Sequence, residues 1–211
     1  MNNPLFEVEF RCSFNSPENA YQVLPFVRNC LNQRIPWSGT FYGRDLFESG
    51  KLLRISKIDK GSDIEHHLTW KGPDTGKFAN IRQEISENIT GGVIDSIVCE
   101  ILGGKRRFPN KDAVIEELEH LGYHPFMSWH GIDFFGYYKT YDVNIKLMSC
   151  DFIKYPWLLE LEKMASTSEE AILFETELNK ISLKFKLGNY LVKDEPPDLL
   201  FEKVFGQAPK S

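Results

Sequence analysis

The chain has 211 residues, of which 42% are hydrophobic and 13% aromatic, and this is enough apolar material to bury a sizeable core. We therefore expect a single domain over residues 1–211, with a helical tail from about residue 194. A formal net charge of −5 disfavours a nonspecific nucleic-acid partner, since such binders are normally basic. The scattered cysteines form no CxxC pair, and no apolar run is long enough for a signal segment or a membrane span. The sequence thus predicts a reduced, cytoplasmic protein with no membrane partner.

The first predicted elements are a strand and a helix. The strand, FEVEFRCSF at residues 6–14, alternates charged or polar residues with apolar ones. Ser16 is the expected N-cap of the helix that follows, and Pro17 suits its first position. Leu24, Val27 and Leu31 recur at helical spacing, so the helix is expected within residues 15–33. Pro25 lies inside this pattern and predicts a bend or a restart.

Strands and helices are predicted along the rest of the chain. The strands are expected as a pair over residues 40–58 joined around Gly50, at 66–72, at 78–89, as a hairpin over 133–150, and at 157–164. The helices are expected at 91–104, 109–125, 166–188, where Thr167 and Glu170 suit a capping box, and 195–206. About seven or eight strands with four or five helices predict an α+β fold rich in antiparallel pairing.

Five predicted strands carry ionisable or polar side chains on one face and apolar side chains on the other, because successive strand residues point to opposite sides. The polar faces hold Glu7, Glu9 and Arg11; Arg54 and Ser56; His67, Thr69 and Lys71; Arg82 and Glu84; and Glu160 and Glu162. If the apolar faces pack against helices, the charged faces look inward at one another, as in a closed barrel with a polar interior. The alternative is that each charged face is exposed to solvent, as on an ordinary half-exposed sheet.

The residue types on these faces point to a metal–phosphate site. Two carboxylates spaced two residues apart on a strand offer oxygen ligands on one face, which suits a hard cation such as Mg²⁺. Arginine and lysine facing the same space match the oxygens of phosphate groups. Acids and bases together therefore fit a metal–polyphosphate complex. The sequence has no GxxxxGK[ST] phosphate loop, and nothing in it indicates a Ser-His-Asp or Cys-His arrangement.

The ordered series of these motifs resembles the CYTH family, also called triphosphate tunnel metalloenzymes, which contains class IV adenylyl cyclases and thiamine triphosphatases. The family's ExExK strand reads EVEFR at residues 7–11, its LRxR pattern reads LRIS at 53–56, and its T-x-K-G-P element reads TWKGP at 69–73. Its R-x-E strand reads RQE at 82–84, and its late ExE strand reads ELE at 160–162 after a helix that ends in LGYHP. The resemblance spans nearly the whole chain.

The resemblance implies an antiparallel β-barrel of about eight strands, with helices packed outside, whose tunnel binds a triphosphate together with Mg²⁺ or Mn²⁺. Carried over position by position, it implies a catalytic group of Glu7, Glu9 and Arg11. It also implies that the triphosphate is bound by Arg54, Lys71 and Arg82. The metal-side acids implied are Glu7, Glu9, Glu84, Glu160 and Glu162.

Several positions depart from the family pattern. Arg11 stands in place of a lysine, and it cannot give up a proton in a protein, although it can hold a phosphate. Ser56 replaces the second arginine of the LRxR pattern. The best register puts His130 and Ile132 where the family has a K-x-R pair. We therefore expect this chain to have fewer positive charges for phosphate binding than the family pattern has.

Other residues are candidates to make up for these departures. The missing charges can be replaced by Lys139, by Lys146 or by the basic run at 105–107, although that run is favoured as a solvated connector. The aspartate expected before the last ExE strand falls near Met148, or at Asp151 if the loop is shifted. Trp129 and His130 are candidates to stack on a base or a thiazole ring, with a core role as the alternative.

Three functions remain open at this level. The first is a metal-dependent enzyme that cyclises ATP or hydrolyses a triphosphate such as ATP, thiamine triphosphate or tripolyphosphate. The second is a triphosphate- or nucleotide-binding protein of the same fold with weak or no catalysis, as the missing positive charges suggest. The third is an α+β domain without a tunnel. The sequence leaves open the number of metals, a homodimer, and whether Arg11 supports catalysis.

Overall fold

The structure is a computed structural model that describes residues 5–149 and 153–209, so Cys150 and Asp151 lie outside the described residues. One antiparallel sheet closes on itself into a barrel. Its eight strands are β1 (Leu5–Phe14), β2 (Leu31–Tyr42), β3 (Leu52–Asp59), β4 (Ile64–Lys71), β5 (Asn80–Asn88), β6 (Pro125–Tyr138), β7 (Val143–Ser149) and β8 (Trp157–Ala165). Their order around the barrel is β1-β5-β4-β3-β2-β6-β7-β8, and β8 pairs with β1 again. The predicted α+β antiparallel barrel is confirmed.

Strand β1 closes the barrel because it has partners on both edges. Glu7 lies opposite Arg82 of β5 on one side and opposite Met164 of β8 on the other. Beyond the end of β5, the short strand β9 (Leu191–Val192) pairs with β1 at Arg11 and Cys12. With both edges fixed, the alternation along β1 decides which side chains enter the barrel.

Helices cover the outside of the barrel. They are α1 (Pro17–Val23), α2 (Pro25–Cys30), α3 (Arg44–Glu48), α4 (Ile97–Ile101), α5 (Lys111–His120), α6 (Ser168–Lys184) and α7 (Pro196–Phe205). The chain restarts at Pro25 as predicted, and Ser16 caps α1 by accepting a hydrogen bond from the backbone N–H of Asn19. Thr167 caps α6 in the same way. Among the described helices, none combines the length and apolarity that crossing a membrane requires.

The apolar faces of the strands pack against these helices. Val8 and Phe10 of β1 belong to one buried cluster with Leu178 of α6. On the opposite wall, Leu68 of β4 and Leu118 of α5 share another cluster. Removing apolar surface from water contributes about 25 cal/mol per Å², so this register is strongly favoured over one that turns the charges outward. The charged faces therefore look into the barrel, and the interpretation without a tunnel is wrong.

Three parts of the predicted pattern are wrong. The chain leaves the helix at Cys30 and enters β2, although helical spacing continues to Leu31. The 12-residue strand β2 pairs with most of β6, and this long-range pairing outweighs the local helical pattern. The hairpin expected around Gly50 is instead the short helix α3 followed by β3. Strand β6 begins at Pro125, ahead of the predicted start at residue 133.

Helix α7 covers one end of the barrel. Phe201 is fully buried, and its ring stacks on that of Phe47 with 5.3 Å between the ring centroids. Leu200 belongs to the same buried cluster as Trp129, whose ring lines the barrel interior. Pro196, at the first position of α7, also lines the interior. The tunnel is therefore bounded at this end by α7 and by the residue that precedes it.

Candidate functional site

The barrel encloses a cavity of about 490 Å³, which is in the size range of small-molecule sites. The acidic side chains that line it are Glu7, Glu9, Glu84, Asp133, Glu160, Glu162 and Glu195, and the basic ones are Arg11, Arg54, Lys60, Lys71 and Lys146. Of the predicted site residues, which all lie in the described part of the chain, only Arg82 does not line this cavity. Distant segments of the sequence thus converge on one enclosed space.

Three of the predicted metal-side acids form a cluster. One oxygen each from Glu7, Glu9 and Glu162 lies within 4.8 Å of the other two. Burial raises the pKa of Glu7 and of Glu9 to about 8. Burial and the neighbouring Glu9 carboxylate raise the pKa of Glu162 to about 7. Buried carboxylates this close together repel one another when they ionise. A divalent cation bound among them would offset that repulsion.

Lys71 lies between two of the acids. Its ammonium group forms an ion pair with Glu7, and it lies 3.2 Å from the carboxylate of Glu84. Burial raises the pKa of Glu84, but Lys71 and Arg54 more than offset this effect, so the net pKa is lowered. Burial likewise lowers the pKa of Lys71, but Glu7 and Glu84 outweigh it and hold the pKa above its ordinary value. Lys71 therefore stays positively charged, and its charge is already paired with Glu7 and Glu84.

Arg11 and Lys146 both contact Glu160. The Nε of Arg11 donates to Glu160 at 2.8 Å, and the other end of the guanidinium forms an ion pair with Glu9. Lys146 forms an ion pair with the second oxygen of Glu160. Burial opposes ionisation of Glu160, but Lys146 and Arg11 lower its pKa to about 2. Glu160 is thus held as an anion by two cations, unlike the three acids of the cluster.

Arg54 lies differently from the other cavity cations. Within the described residues its Nε has no hydrogen-bond partner, and its guanidinium carbon lies 5.7 Å from the ring centroid of Trp37. Gly39 makes room for both side chains, because a Cβ there would stand 3.0 Å from the Cδ of Arg54 and 3.2 Å from the Trp37 ring. Arg54 therefore retains a donor that an anion in the cavity can use.

Arg82 fastens α7 to the barrel. Its Nε lies 2.9 Å from an oxygen of Glu195, and its terminal nitrogen donates to the carbonyl of Gly50 at 3.3 Å. Asn80 also donates to Glu195, at 3.0 Å. Glu195 is the N-cap residue of α7, but its side chain makes no capping hydrogen bond and is free to reach Arg82. The role of Arg82 in phosphate binding stays a prediction.

The residues of strand β6 that face the cavity differ from those that the sequence predicts. Trp129 and Asp133 are buried and line the cavity, whereas His130 is exposed and Ile132 lies on the outer face. The predicted placement of His130 and Ile132 is off by one residue, and such a slip moves every side chain to the other face of a strand. Strand β6 therefore contributes the acidic side chain of Asp133 to the tunnel, and not the predicted histidine, His130.

The candidates for the missing positive charges separate clearly. Lys146 lines the cavity, whereas Lys139 is exposed beyond the end of β6. Lys105 and Arg107 are 75% and 76% exposed, as expected of a solvated connector, and they pair with the buried Glu117 and the exposed Asp95. The alternation of VNIKLMS along β7 is the sequence signal that places Lys146 inside. No comparable signal in the sequence indicates Glu195, since it precedes a helix outside the barrel strands.

A closed antiparallel barrel of eight strands, with helices outside and acids and bases inside, defines the CYTH or triphosphate tunnel fold, and the chain has this fold. It is similar to the PH1819 protein of Pyrococcus horikoshii OT3, with a TM-score of 0.69 and 20% identity over 93% of this chain and 99% of the other. It is also similar to a proposed adenylate cyclase from Vibrio parahaemolyticus, with a TM-score of 0.64 and 16% identity over 93% of this chain and 98% of the other.

A third similar structure is a proposed adenylyl cyclase from Hippeastrum, described as having a dominant triphosphatase activity. It matches with a TM-score of 0.59 and 14% identity over 94% of this chain and 95% of the other. No protein-family model and no curated protein sequence matches the chain. At these identities the likeness extends to the fold alone, because one fold can carry different activities.

Proposed function

We propose that this chain is a metal-dependent enzyme that acts on a triphosphate bound in the barrel tunnel, either by hydrolysis or by cyclisation of ATP. The observation that carries the proposal is the convergence of Glu7, Glu9 and Glu162 with the cations Arg54, Lys71 and Lys146 in one cavity. Similar structures include a proposed adenylate cyclase and a protein with a dominant triphosphatase activity, which supports the same substrate class.

The acidic cluster fits a divalent metal ion. Glu7, Glu9 and Glu162 supply only carboxylate oxygens, which are the ligands that Mg²⁺ and Mn²⁺ accept. A metal held there would neutralise charge on the phosphoryl oxygens. Once Glu7, Glu9 and Glu162 are ionised, the cavity lining has more negative than positive side chains, so a triphosphate entering without cations would meet net repulsion. Metal dependence therefore follows from the charge balance of the lining.

The cations of the cavity have separate parts in the proposed mechanism. Arg54 retains an unpaired donor and is the first side chain available to a phosphate oxygen. Lys71 and Lys146 can exchange a contact with a carboxylate for a contact with phosphate, since an ammonium group donates in three directions. Arg11 is enclosed by Glu9 and Glu160 and stays charged, so it positions these carboxylates and transfers no proton.

The second candidate function is a triphosphate-binding protein without efficient turnover. The observation that favours it is the pairing of Arg11, Lys71 and Lys146 with acids of the cavity. Paired cations stabilise developing charge less well than free ones, because the site must first break its own contacts. Ser56 also occupies a tunnel position without supplying a positive charge.

Phosphorus NMR separates the two functions. The purified protein is incubated at pH 8 with Mg²⁺ or Mn²⁺ and with ATP, tripolyphosphate or thiamine triphosphate, and the products are resolved. Orthophosphate shows hydrolysis, and pyrophosphate with cyclic AMP shows cyclisation. Glu162→Gln should lower the rate by roughly tenfold or more, because it removes a metal-side carboxylate. The same change at exposed Glu116 is the matched control and should leave the rate unchanged.

The outcomes without turnover are equally informative. If no product forms but the triphosphate with metal raises the melting temperature, the binding function is supported, since a ligand that prefers the native state stabilises it. If neither product nor stabilisation appears with any of the three triphosphates, both functions are contradicted. Turnover that is insensitive to Glu162→Gln and to chelation contradicts the metal site.

A further inference from the structure

A second cavity lies outside the barrel, between helix α6, strand β8 and the turn at residues 139–142 that joins β6 to β7. Its volume is about 480 Å³, close to that of the tunnel cavity. The ionisable side chains that line it include three lysines, Lys163, Lys180 and Lys184, and two acids, Asp142 and Glu177. None of these five residues lines the tunnel. We refer to this space as the outer cavity.

Lys163 is a charged residue on the apolar face of β8. Its neighbours on that face, Leu161 and Ala165, are fully buried and belong to the same cluster as Leu178 of α6. Lys163 itself is only 6% exposed. A charge is costly to bury, even when it is paired, so an apolar residue would pack α6 onto the barrel at lower cost. The position of Lys163 therefore indicates a use for its charge beyond packing.

The acidic partners of Lys163 are within reach of solvent. Its Nζ donates to Glu177 at 2.6 Å, but Glu177 is 49% exposed. The carboxylate of Asp142 lies 3.8 Å away, which is too far for a hydrogen bond, and it is 72% exposed. An ammonium group has three donors, so Glu177 does not exhaust those of Lys163. Lys163 can therefore exchange Glu177 for an anion that enters the outer cavity, while Glu177 turns to water.

Aromatic rings hold two of the lysines beside the outer cavity. The Nζ of Lys163 lies 4.6 Å from the ring centroid of Phe174. The Nζ of Lys184 lies 5.1 Å from the ring centroid of Tyr141 and donates to the hydroxyl of Tyr141 at 2.6 Å. These contacts favour the charged form of each lysine. Lys180, one helical turn before Lys184, makes no hydrogen bond or ion pair with any described residue, so its charge is available to a ligand.

The charges of the outer cavity select an anion as its ligand. Three ammonium groups face two carboxylates, which leaves one net positive charge, and a second appears when Glu177 turns away. Several lysines around one space attract a dianion more strongly than a monoanion. Lysine also binds phosphate oxygens readily as a point charge. The volume leaves room for an organic part beside the phosphate group.

We propose that the outer cavity binds a phosphate group, either as the free ion or as a monoester, which takes the place of Glu177 at Lys163 and also contacts Lys180 and Lys184. The outer cavity is a binding site that is separate from the tunnel, and no bond to phosphorus is made or broken there. The inference goes beyond the proposed function, since it holds whether or not a triphosphate is turned over in the tunnel.

The test is calorimetry of the full chain with inorganic phosphate, phenyl phosphate and benzoate, at pH 8 and in the presence of EDTA, so that the tunnel carboxylates hold no metal. At least one of the phosphates should bind roughly tenfold or more tightly than benzoate. Tighter binding of phenyl phosphate assigns the site to a monoester, and tighter binding of inorganic phosphate assigns it to the free ion. Benzoate that binds as tightly as both phosphates would overturn the inference.

Two exposed residues give variants with opposite effects on phosphate binding. Lys180→Met should weaken binding roughly tenfold, because it removes a charge-assisted hydrogen bond to the phosphate. Glu177→Gln should tighten binding severalfold, because it removes the carboxylate that competes for Lys163. If the pair of Lys163 and Glu177 only holds α6 in place, neither variant should change phosphate binding, and that result would contradict the inference.

Control variants separate the outer cavity from the rest of the molecule. Lys193→Met removes an exposed lysine elsewhere on the surface and should leave phosphate binding unchanged. Arg54→Gln removes a cation of the tunnel and should also leave it unchanged. Binding that Arg54→Gln abolishes and Lys180→Met preserves would assign the phosphate to the tunnel and overturn this inference, while leaving the proposed function intact. The absence of binding by both phosphates would overturn it as well.

Discussion

Glu160 and Glu162 are two residues apart on β8 and point into the same cavity, yet their surroundings differ. Glu160 contacts Arg11 and Lys146, whereas Glu162 makes no ion pair within the described residues. The pKa of Glu160 is accordingly lowered to about 2, and that of Glu162 is raised to about 7 by burial and by Glu9. At the residue scale, Glu160 holds two cations in place, whereas Glu162 is available to a metal.

We expect Glu160→Gln to destabilise the fold by about 3–5 kcal/mol, because it leaves the buried Arg11 and the half-buried Lys146 with too little negative charge. The measurement is urea unfolding of the metal-free protein at pH 7. Glu162→Gln is the matched comparison and should leave stability unchanged or raise it, since it removes a buried acid that lacks a cationic partner. If the two variants lost the same amount of unfolding free energy, the ion pairs of Glu160 would not be what makes it more important for stability than Glu162.

The elements whose site residues follow from the sequence are those with regular alternation. In β1 from Phe6 to Phe14, and in β8 from Leu159 to Glu162, polar and apolar residues alternate, so the inward positions of Glu7, Glu9, Glu160 and Glu162 follow from the pattern alone. The same holds for Lys146 on β7. In these strands the two faces differ so strongly in polarity that only one register buries apolar side chains against the helices.

The elements where the sequence fails are β2 and β6, which pair with each other along most of their length. Their inward residues include Ile35, Trp37, Trp129, Asp133 and Phe135, a mixture of apolar and charged types that does not mark a polar face. Glycines at 39 and 131 interrupt the alternation further, because they serve the packing of Trp37 and Arg54. Only the three-dimensional pairing fixes which face of these strands looks inward, so the sequence pattern alone does not reveal that Trp37, Trp129 and Asp133 line the cavity.

Phe201 helps to hold helix α7 on the end of the barrel, in addition to the ion pair of Arg82 with Glu195. The Phe201 side chain is fully buried and stacks on Phe47, with Phe205 at 4.6 Å between ring centroids. We expect Phe201→Ala to cost about 3–5 kcal/mol in unfolding free energy, because it removes a large buried ring and leaves a cavity. Val204→Ala on the same helix is the control, since Val204 is 53% exposed and should change stability by no more than about 0.5 kcal/mol. Similar losses for the two variants would mean that α7 is not anchored through this ring.

At the scale of the whole molecule, the fold concentrates acidic groups that prefer to stay protonated. The ordinary pKa of glutamate is 4.5, whereas burial raises that of Glu7 and Glu9 to about 8. Between these values the native state binds more protons than the unfolded state does, so the free energy of unfolding falls as the pH rises. Glu160 has the opposite shift, but its contribution is already complete above pH 4.5 and does not change in this range.

We therefore expect the metal-free protein to melt at a lower temperature at pH 8 than at pH 6. For a chain of this size, each kcal/mol corresponds to a change of about 2–4 °C. Mg²⁺ should stabilise the protein more at pH 8 than at pH 6, because protons compete with the metal for the same carboxylates. Differential scanning calorimetry at the two pH values, with and without Mg²⁺, measures both effects. A metal-free protein that becomes more stable as the pH rises would contradict the raised pKa values of Glu7 and Glu9.

Electron paramagnetic resonance of Mn²⁺ tests the metal site directly, since the signal of free Mn²⁺ decreases when the ion binds. Titration at pH 8 should show saturable binding to the wild-type protein and to Glu116→Gln, and much weaker binding to Glu162→Gln. It should also show weaker binding at pH 6, where Glu7, Glu9 and Glu162 retain their protons. A free Mn²⁺ signal that the wild-type protein leaves unchanged, or that Glu162→Gln reduces as strongly as the wild type does, would show that the three carboxylates do not hold a metal.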